Sequence, residues 1–406
     1  MLKLSLIIDR LIWLFSLFLF FSFYIFNSNV YSRFILLSIT IGILFLLIIR
    51  DGLKIHFYWH SFHTSVLLFA LFCLLSCFWS MDPVYSLIKS SIIFQLLICM
   101  SVLYIYFLQK GTITPMIDII MWAGYLISIY SFVFYGIDNV IYIVNNAGRL
   151  DNSFSNVNSI GMLVAFSSII TIYKILFYKF KLYHLLLVLN IIIIAAAGSR
   201  TGLISFIIGV CSIFAIKYLD KKKMFSFFYF ILICIIIIIF FKFVLTLPLF
   251  NNLNDRIESL FYFFTKKDIA DGSTLTRMRM FSIGWNQFLQ TPLLGIGIGS
   301  SEELLSYTIG RRTYLHNNYI ELLSGVGIIG TTLYYLMLLL PAIKLFKQRH
   351  SKDKNTILCL IVIFLLLIID FGSVSYNTKS TYFYIMMLFL QVKINNKILI
   401  GNGKQK

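Results

Sequence analysis

The sequence has little charge and little proline. Charged residues make up 12% of its 406 residues, there are 5 prolines, and no long polar tract separates the apolar runs. Soluble domains are about a quarter charged, so this composition excludes a soluble globular protein. Apolar residues account for 60% of the chain and aromatic residues for 17%, as expected for helices that face lipid. We therefore expect one integral membrane domain over residues 1–406.

The cysteines follow neither a metal-binding nor a disulfide pattern. All six lie inside apolar runs, without the spacing of a zinc site, so we interpret them as small hydrophobic residues. The sequence predicts no metal and no cofactor. A glycosidase-type pair of carboxylates is not evident either, because Glu302 and Glu303 are adjacent and would diverge on a helix.

The apolar runs predict an all-α polytopic membrane protein with about twelve spanning helices, since about 20 apolar residues cross a bilayer. Two of the runs are separated only by Ser199 and Arg200, which predicts a tight helical hairpin with an arginine at its tip. The predicted spans are 11–27, 34–49, 64–80, 91–108, 115–135, 159–178, 182–198, 201–218, 224–247, 319–343, 356–374 and 380–396.

The basic residues predict the orientation of the chain in the membrane. With the amino terminus in the cytoplasm, 21 of the 34 lysines and arginines fall on the cytoplasmic side. Both termini are then cytoplasmic, and residues 248–318 form one large external loop. Most of the net charge of +18 is explained by topology, so no nucleic-acid partner is needed. The polar residues of 137–158, Arg200 and 248–318 all fall outside, which is typical of an enzyme with its chemistry on one membrane face.

A histidine marks the end of the external loop. His316 follows Arg311 and Arg312 and precedes Asn317 and a long apolar run. An imidazole at the mouth of a membrane helix can accept a proton from a substrate near neutral pH. A histidine that is simply hydrogen-bonded at the interface is the alternative.

Several arginines on the same predicted side could bind an anion. Arg200, between two spans, is costly unless it faces a polar cavity or an anion, and its planar fork suits a phosphate. An arginine that only anchors the interface is the alternative. In the loop, residues 277–289 carry apolar side chains at helical spacing, which predicts an amphipathic helix on the membrane face with Arg277 and Arg279 near its start.

Two further segments of the external side have more than one interpretation. Residues 295–300 are rich in glycine but match neither the P-loop nor the dinucleotide fingerprint, so we expect a tight turn before a short helix at 301–309. Arg149 begins a segment of Asn and Ser residues that reaches Asn158. These side chains could cap the following helix or hydrogen-bond the hydroxyls of a sugar.

Taken in order, four of these segments resemble the O-antigen ligase/polymerase family of bacterial membrane glycosyltransferases. In many members a glutamate stands two residues before the first glycine of the last segment, whereas this chain has Gly325 there. The four segments are Gly148-Arg149 with 153–158, the tip 198–202, Arg277 to Phe281 followed by 292–297, and 316–320 with Gly327 and Gly330.

The resemblance implies that a glycan is moved from an undecaprenyl-pyrophosphate carrier to an acceptor hydroxyl, without metal and with inversion of the anomeric centre. His316 would remove the proton of that hydroxyl, and Arg200 with Arg277 would stabilise the leaving diphosphate. The reaction would occur on the periplasmic or outer face of the bacterial inner membrane. The residues implied as substrate contacts are Arg279, Arg149, Asn158, Asn317 and Arg312.

Three functions are compatible with this reading of the sequence. The first is an O-antigen or capsular polysaccharide polymerase, and the second is the ligase that transfers the glycan to lipid A–core. A transporter of lipid-linked oligosaccharide belongs to another class. The expected partners are the lipid-linked oligosaccharide, a glycan or lipid A–core acceptor, membrane lipids and a chain-length regulator.

Overall fold

Every regular element that the computed structural model describes is a helix. The described residues are 2–26, 31–52, 57–146, 148–153, 155–218, 272–349 and 353–403. The α-helices are α1 (Leu2–Ile25), α2 (Tyr31–Asp51), α3 (Ser61–Leu75), α4 (Pro83–Lys110), α5 (Thr114–Tyr135), α6 (Ile137–Asn145), α7 (Val157–Phe177), α8 (Leu187–Ala197), α9 (Arg200–Tyr218), α10 (Gly272–Gln290), α11 (Ser301–Ile309), α12 (Asn318–Lys347), α13 (Asn355–Ile369) and α14 (Lys379–Gly403), with 3₁₀-helices at Ser76–Trp79 and Leu182–Leu186.

Eight helices of the described chain are long and apolar enough to cross a membrane. Two shorter apolar helices cover Leu182–Ala197 and Asn355–Ile369. Eleven of the predicted spans coincide with helices, whereas the predicted span 224–247 lies outside the described residues. The all-α polytopic fold is therefore confirmed. The eight spanning segments are Leu4–Ile25, Ser32–Asp51, Ser61–Trp79, Pro83–Lys110, Thr114–Tyr135, Val157–Phe177, Arg200–Lys217 and Asn318–Lys347.

The chain divides into two compact units, each assembled from separate stretches of sequence. The prediction of one membrane domain over 1–406 stays a prediction. Unit 1 comprises Met1–Ile12, Leu37–Ile113 and Gly272–Lys406, and unit 2 comprises Trp13–Leu36 and Thr114–Asp271.

In unit 1, α12 is the central element, and it packs against α3, α10, α13 and α14. This helix is broken at Gly327, whose φ of 61° and ψ of −169° are not helical. The glycine-rich loop 291–300 fills the break. The Ile328 N–H donates to the Pro292 carbonyl at 2.8 Å, and the Ile296 N–H donates to the Ser324 carbonyl at 3.0 Å. Buried backbone N–H and C=O groups need hydrogen-bond partners. At the break in α12 the loop provides partners that the helix itself does not.

In unit 2, α7 is the central element, and α5, α8 and α9 pack against it. Helix α8 ends at Ala197. The next residue, Gly198, caps it in a left-handed conformation with φ of 56°, and α9 begins at Arg200. The predicted connection of two helices through Ser199 and Arg200 is therefore present. Both helices are held by contact with α7, which the sequence pattern did not reveal.

Candidate functional site

His316 occupies the turn immediately before α12. Its φ is 57°, and among the described residues it is the one non-glycine residue with a positive φ. A left-handed backbone costs an ordinary residue about 1–2 kcal/mol, so the turn must be fixed by its surroundings. Asn317 caps the helix, because its Oδ1 accepts a hydrogen bond from the Ile320 N–H at 3.1 Å. The ring of His316 packs on that of Tyr314, with 4.2 Å between their centroids.

The imidazole of His316 is neutral at physiological pH. Burial, together with the nearby positive charges of Arg277 and Arg311, lowers the pKa of His316 to about 4. The two arginines come from different elements, since Arg277 lies in α10 and Arg311 in the loop that follows α11. A neutral imidazole beside two cations can accept a proton while an anion is bound nearby.

Helix α10 brings Arg277 to this turn through a close contact with α12. A Cβ added at Gly284 would lie 2.5 Å from the Ile320 Cγ2 atom and 2.7 Å from the Leu315 Cδ1 atom, so these side chains would have to shift if a larger residue replaced the glycine. Arg277 and Gly284 are about two helical turns apart and share one face of α10. Met280, between them on that face, is buried in a small hydrophobic cluster with Leu315 and Ile320.

The other two arginines predicted around this turn lie in different environments. Arg279, which points away from the buried face of α10, is exposed. Arg312 forms ion pairs with Asp82 at 2.6 Å and with Glu303 at 3.3 Å, and its side chain is 48% exposed. Its charge is thus already partly neutralised by two carboxylates. We refer to Arg277, Arg311, Leu315, His316 and Asn317 together as the His316 corner.

In unit 2, Arg200 is the half-buried first residue of α9 and follows the buried Ser199. A Cβ added at Gly202 would lie 2.8 Å from the carbonyl carbon and oxygen of Gly161, and one added at Gly161 would lie 2.7 Å from the Ser199 Cβ. The chain around Arg200 is therefore packed closely against the start of α7, and at Gly202 and Gly161 the two backbones are in direct contact. We call residues 197–202 together with Gly161 the Arg200 tip.

Arg149 and Asn158 support this tip from the side. The Arg149 Nε donates to the Ala197 carbonyl at 3.0 Å, and its Nη2 donates to the Asn158 Oδ1 at 2.7 Å. The first contact satisfies a carbonyl at the carboxyl end of α8, where a cation is favourable. The expected capping of α7 is also present, because Asn156 accepts from the Asn158 N–H at 2.9 Å.

One polar network around the His316 corner was not assigned a role from the sequence. Asp370 accepts hydrogen bonds from the Asn318 side chain at 3.1 Å, from Tyr335 at 2.9 Å and from Ser375 at 2.5 Å. It thereby ties the loop after α13 to the first turn of α12. The sequence signal is a carboxylate inside the predicted span 356–374, but two of its three partners lie in α12, which is distant along the chain. In the described part of the chain, no group of three or more His, Cys, Asp or Glu side chains could hold a metal ion.

These features define an all-α polytopic membrane protein whose helix ends carry a neutral imidazole and several arginines at two polar sites. Residues 185–335 match the family model described as O-antigen ligase. The match confirms the predicted resemblance to the O-antigen ligase/polymerase family, and it spans both the Arg200 segment and the His316 corner. The segment with Arg149 and Asn158 lies outside the matched residues. Among curated proteins, none matches the chain.

Proposed function

We propose that the protein is a glycosyltransferase that polymerises lipid-linked glycan at the outer face of the bacterial inner membrane, with both of its termini in the cytoplasm. The donor in this proposal is an undecaprenyl-pyrophosphate-linked oligosaccharide, and the acceptor is a sugar hydroxyl. The observation that carries the proposal is the neutral imidazole of His316 in the field of Arg277. The match of residues 185–335 to a family model described as O-antigen ligase supports the chemistry of glycan transfer.

His316 acts as the general base. It accepts the proton of the acceptor hydroxyl while the hydroxyl oxygen forms a bond to the anomeric carbon of the donor. The bond between that carbon and the phosphate oxygen breaks, and the diphosphate leaves with the electron pair. Attack opposite the leaving group inverts the anomeric centre. A bound diphosphate also offsets the charge of Arg277 and Arg311, which raises the pKa of His316 towards the range in which a base is most effective.

Arg277 and Arg200 stabilise the charge that develops on the diphosphate, and no metal is required for this electrostatic role. Arg277 is assigned from its interaction with His316, and Arg200 from its place in the sequence pattern and the matched segment. Substrate contacts are proposed for Arg279, Arg312 and Asn317 in unit 1 and for Arg149 and Asn158 in unit 2. A chain-length regulator is a further proposed partner.

A ligase is the second candidate, because the matched family model is described as O-antigen ligase. The acceptor would then be lipid A–core instead of a growing glycan. A deletion strain distinguishes the two. Loss of a polymerase leaves lipopolysaccharide that carries single repeat units, whereas loss of a ligase leaves none that is capped.

The direct test is a reaction of the purified protein with a defined lipid-linked repeat unit, in the presence of a chelator. We expect longer lipid-linked products that are resolved as a ladder. A polysaccharide transporter, the alternative of another class, forms no new glycosidic bond, so it would leave the substrate unchanged. Product formation only after a divalent metal is added would contradict the metal-independent mechanism.

A further inference from the structure

Glu321 is a buried carboxylate close to His316 that the proposed reaction does not use. It lies in the first turn of α12, and its exposed fraction is 3%. One oxygen, Oε2, accepts a hydrogen bond from the Leu315 N–H at 2.9 Å. The other oxygen, Oε1, accepts a hydrogen bond from the Ser301 hydroxyl at the start of α11. The carboxylate thus joins α11, α12 and the residue that precedes His316.

Burial of a carboxylate is costly unless charge and hydrogen bonds compensate for it. Lys89 of α4 provides charge, since it interacts favourably with Glu321 and lies 3.2 Å from Glu302. Two hydrogen-bond donors point at the carboxylate, as described above. Groups from three other parts of unit 1 therefore offset part of the cost of burying this carboxylate.

The backbone close to the Glu321 carboxylate is strained at His316. His316 has a φ of 57°, and its position depends on the residues on each side. After it, the Asn318 N–H donates to the Asp370 carbonyl at 2.8 Å. Before it, the Leu315 N–H is bound by Glu321, and the Leu315 side chain is buried. Without Glu321, that N–H would be left in a buried place without an acceptor.

We propose that Glu321 is a positioning residue for His316. The Glu321 carboxylate fixes the backbone at Leu315 and so orients the imidazole of His316 towards the acceptor hydroxyl. This inference rests on the proposed role of His316 as the base. Because the contact is geometric, an acceptor oxygen at this place matters and the charge itself does not. Glutamine retains such an oxygen, whereas alanine does not.

The first measurement is the rate at which diethyl pyrocarbonate modifies His316 in the purified protein, determined by mass spectrometry. The other histidines of the same sample are the internal reference. We expect Glu321→Ala to change the rate at His316 alone and Glu321→Gln to leave it as in the wild type. Equal rates in all three proteins would overturn the proposal. This readout does not depend on any enzymatic activity.

The second measurement is glycan transfer by the same variants. Because a misplacement of about 1 Å can cost about 10²-fold in rate, we expect Glu321→Ala to lower kcat by about that factor with KM for the donor unchanged. Glu321→Gln should restore kcat. Should Glu321→Ala fail to accumulate, Glu321→Asp decides, since its shorter side chain cannot reach both donors and should lower kcat in the same way. Wild-type kcat in the tested variant contradicts the inference.

His316→Ala separates this inference from the proposed function. If His316→Ala abolishes transfer while Glu321→Ala does not, the positioning role is wrong and the general base stands. If His316→Ala transfers glycan normally while Glu321→Ala alters the modification of His316, the proposed base is wrong and the structural link between the two residues stands.

Discussion

The His316 corner and the Arg200 tip place polar side chains at helix ends by different physical means. At the corner, side chains surround a strained backbone, and burial with two nearby arginines depresses the pKa of His316 to about 4. At the tip, backbone touches backbone, because Gly202 lies against the carbonyl of Gly161. Side chains can adjust to a change, whereas two packed backbones can move only together with their helices.

The two sites should therefore be sensitive to different kinds of substitution. The corner should respond to changes of chemistry, such as loss of the imidazole or of a nearby charge. The tip should respond to changes of volume, even of one methyl group. Chemical substitutions and changes of side-chain volume can therefore be compared at the two sites. Their effects on glycan transfer test whether the geometry of each site is needed for the reaction.

Removal of the imidazole should have the largest effect. We expect His316→Ala to reduce glycan transfer by about 10²–10⁴-fold, the range that general base catalysis contributes. The measurement is the rate of product formation by purified protein, at matched protein amounts. The same variant in cells, with unchanged protein level and full activity, would favour a transporter over an enzyme.

A methyl group added at Gly202 of the Arg200 tip should have the second-largest effect on glycan transfer. Gly202→Ala places a Cβ 2.8 Å from the Gly161 backbone, so α9 must shift and Arg200 with it. We expect a loss of about 10²-fold in transfer, as for a misplaced catalytic group. Gly209→Ala on the same helix is the matched control, since its Cβ would meet the Ile169 side chain, whose end can move. Equal losses in both variants would show that the tip is not special.

Substitution of Arg200 by lysine tests its chemistry at unchanged charge. Lysine cannot form the planar fork that binds a phosphate through two hydrogen bonds, so we expect a loss of about tenfold, corresponding to about 1.4 kcal/mol. The distribution of glycan chain lengths on a gel provides the readout. Wild-type chain lengths would mean that Arg200 is only an interfacial anchor.

A methyl group added at Gly284, which packs against Leu315 of the His316 corner, should have the smallest effect on glycan transfer. The Cβ of Gly284→Ala would meet the Ile320 Cγ2 and Leu315 Cδ1 atoms, which can rotate away. Overpacking of this kind costs about 1–3 kcal/mol in stability, and the transfer rate should fall less than in Gly202→Ala. Thermal unfolding in detergent together with the transfer assay measures both. A larger loss of rate here than at Gly202 would reverse the comparison.

The local parts of both sites could be predicted from sequence, because hydropathy and helical spacing report on neighbouring residues. The short helix at 301–309 and the arginine between two apolar runs are present as expected. The pairing of the loop 291–300 with the break at Gly327 could not be predicted, since it depends on backbone contacts between distant segments. For the same reason the ion pair between Arg312 and Asp82, which are distant along the chain, is not evident from a single sequence.

The pH dependence of kcat/KM reports whether the neutral imidazole of His316, close to Arg277, is the base. The base is active when unprotonated, so activity of the wild type should persist well below neutral pH and be lost as pH falls towards the His316 pKa of about 4. In Arg277→Gln a cation that depresses this pKa is gone, so the acid limb should move to higher pH, whereas Arg279→Gln, at an exposed position, should leave it in place. An acid limb at the same pH in all three proteins would contradict the assignment of His316, with a pKa lowered by Arg277, as the base.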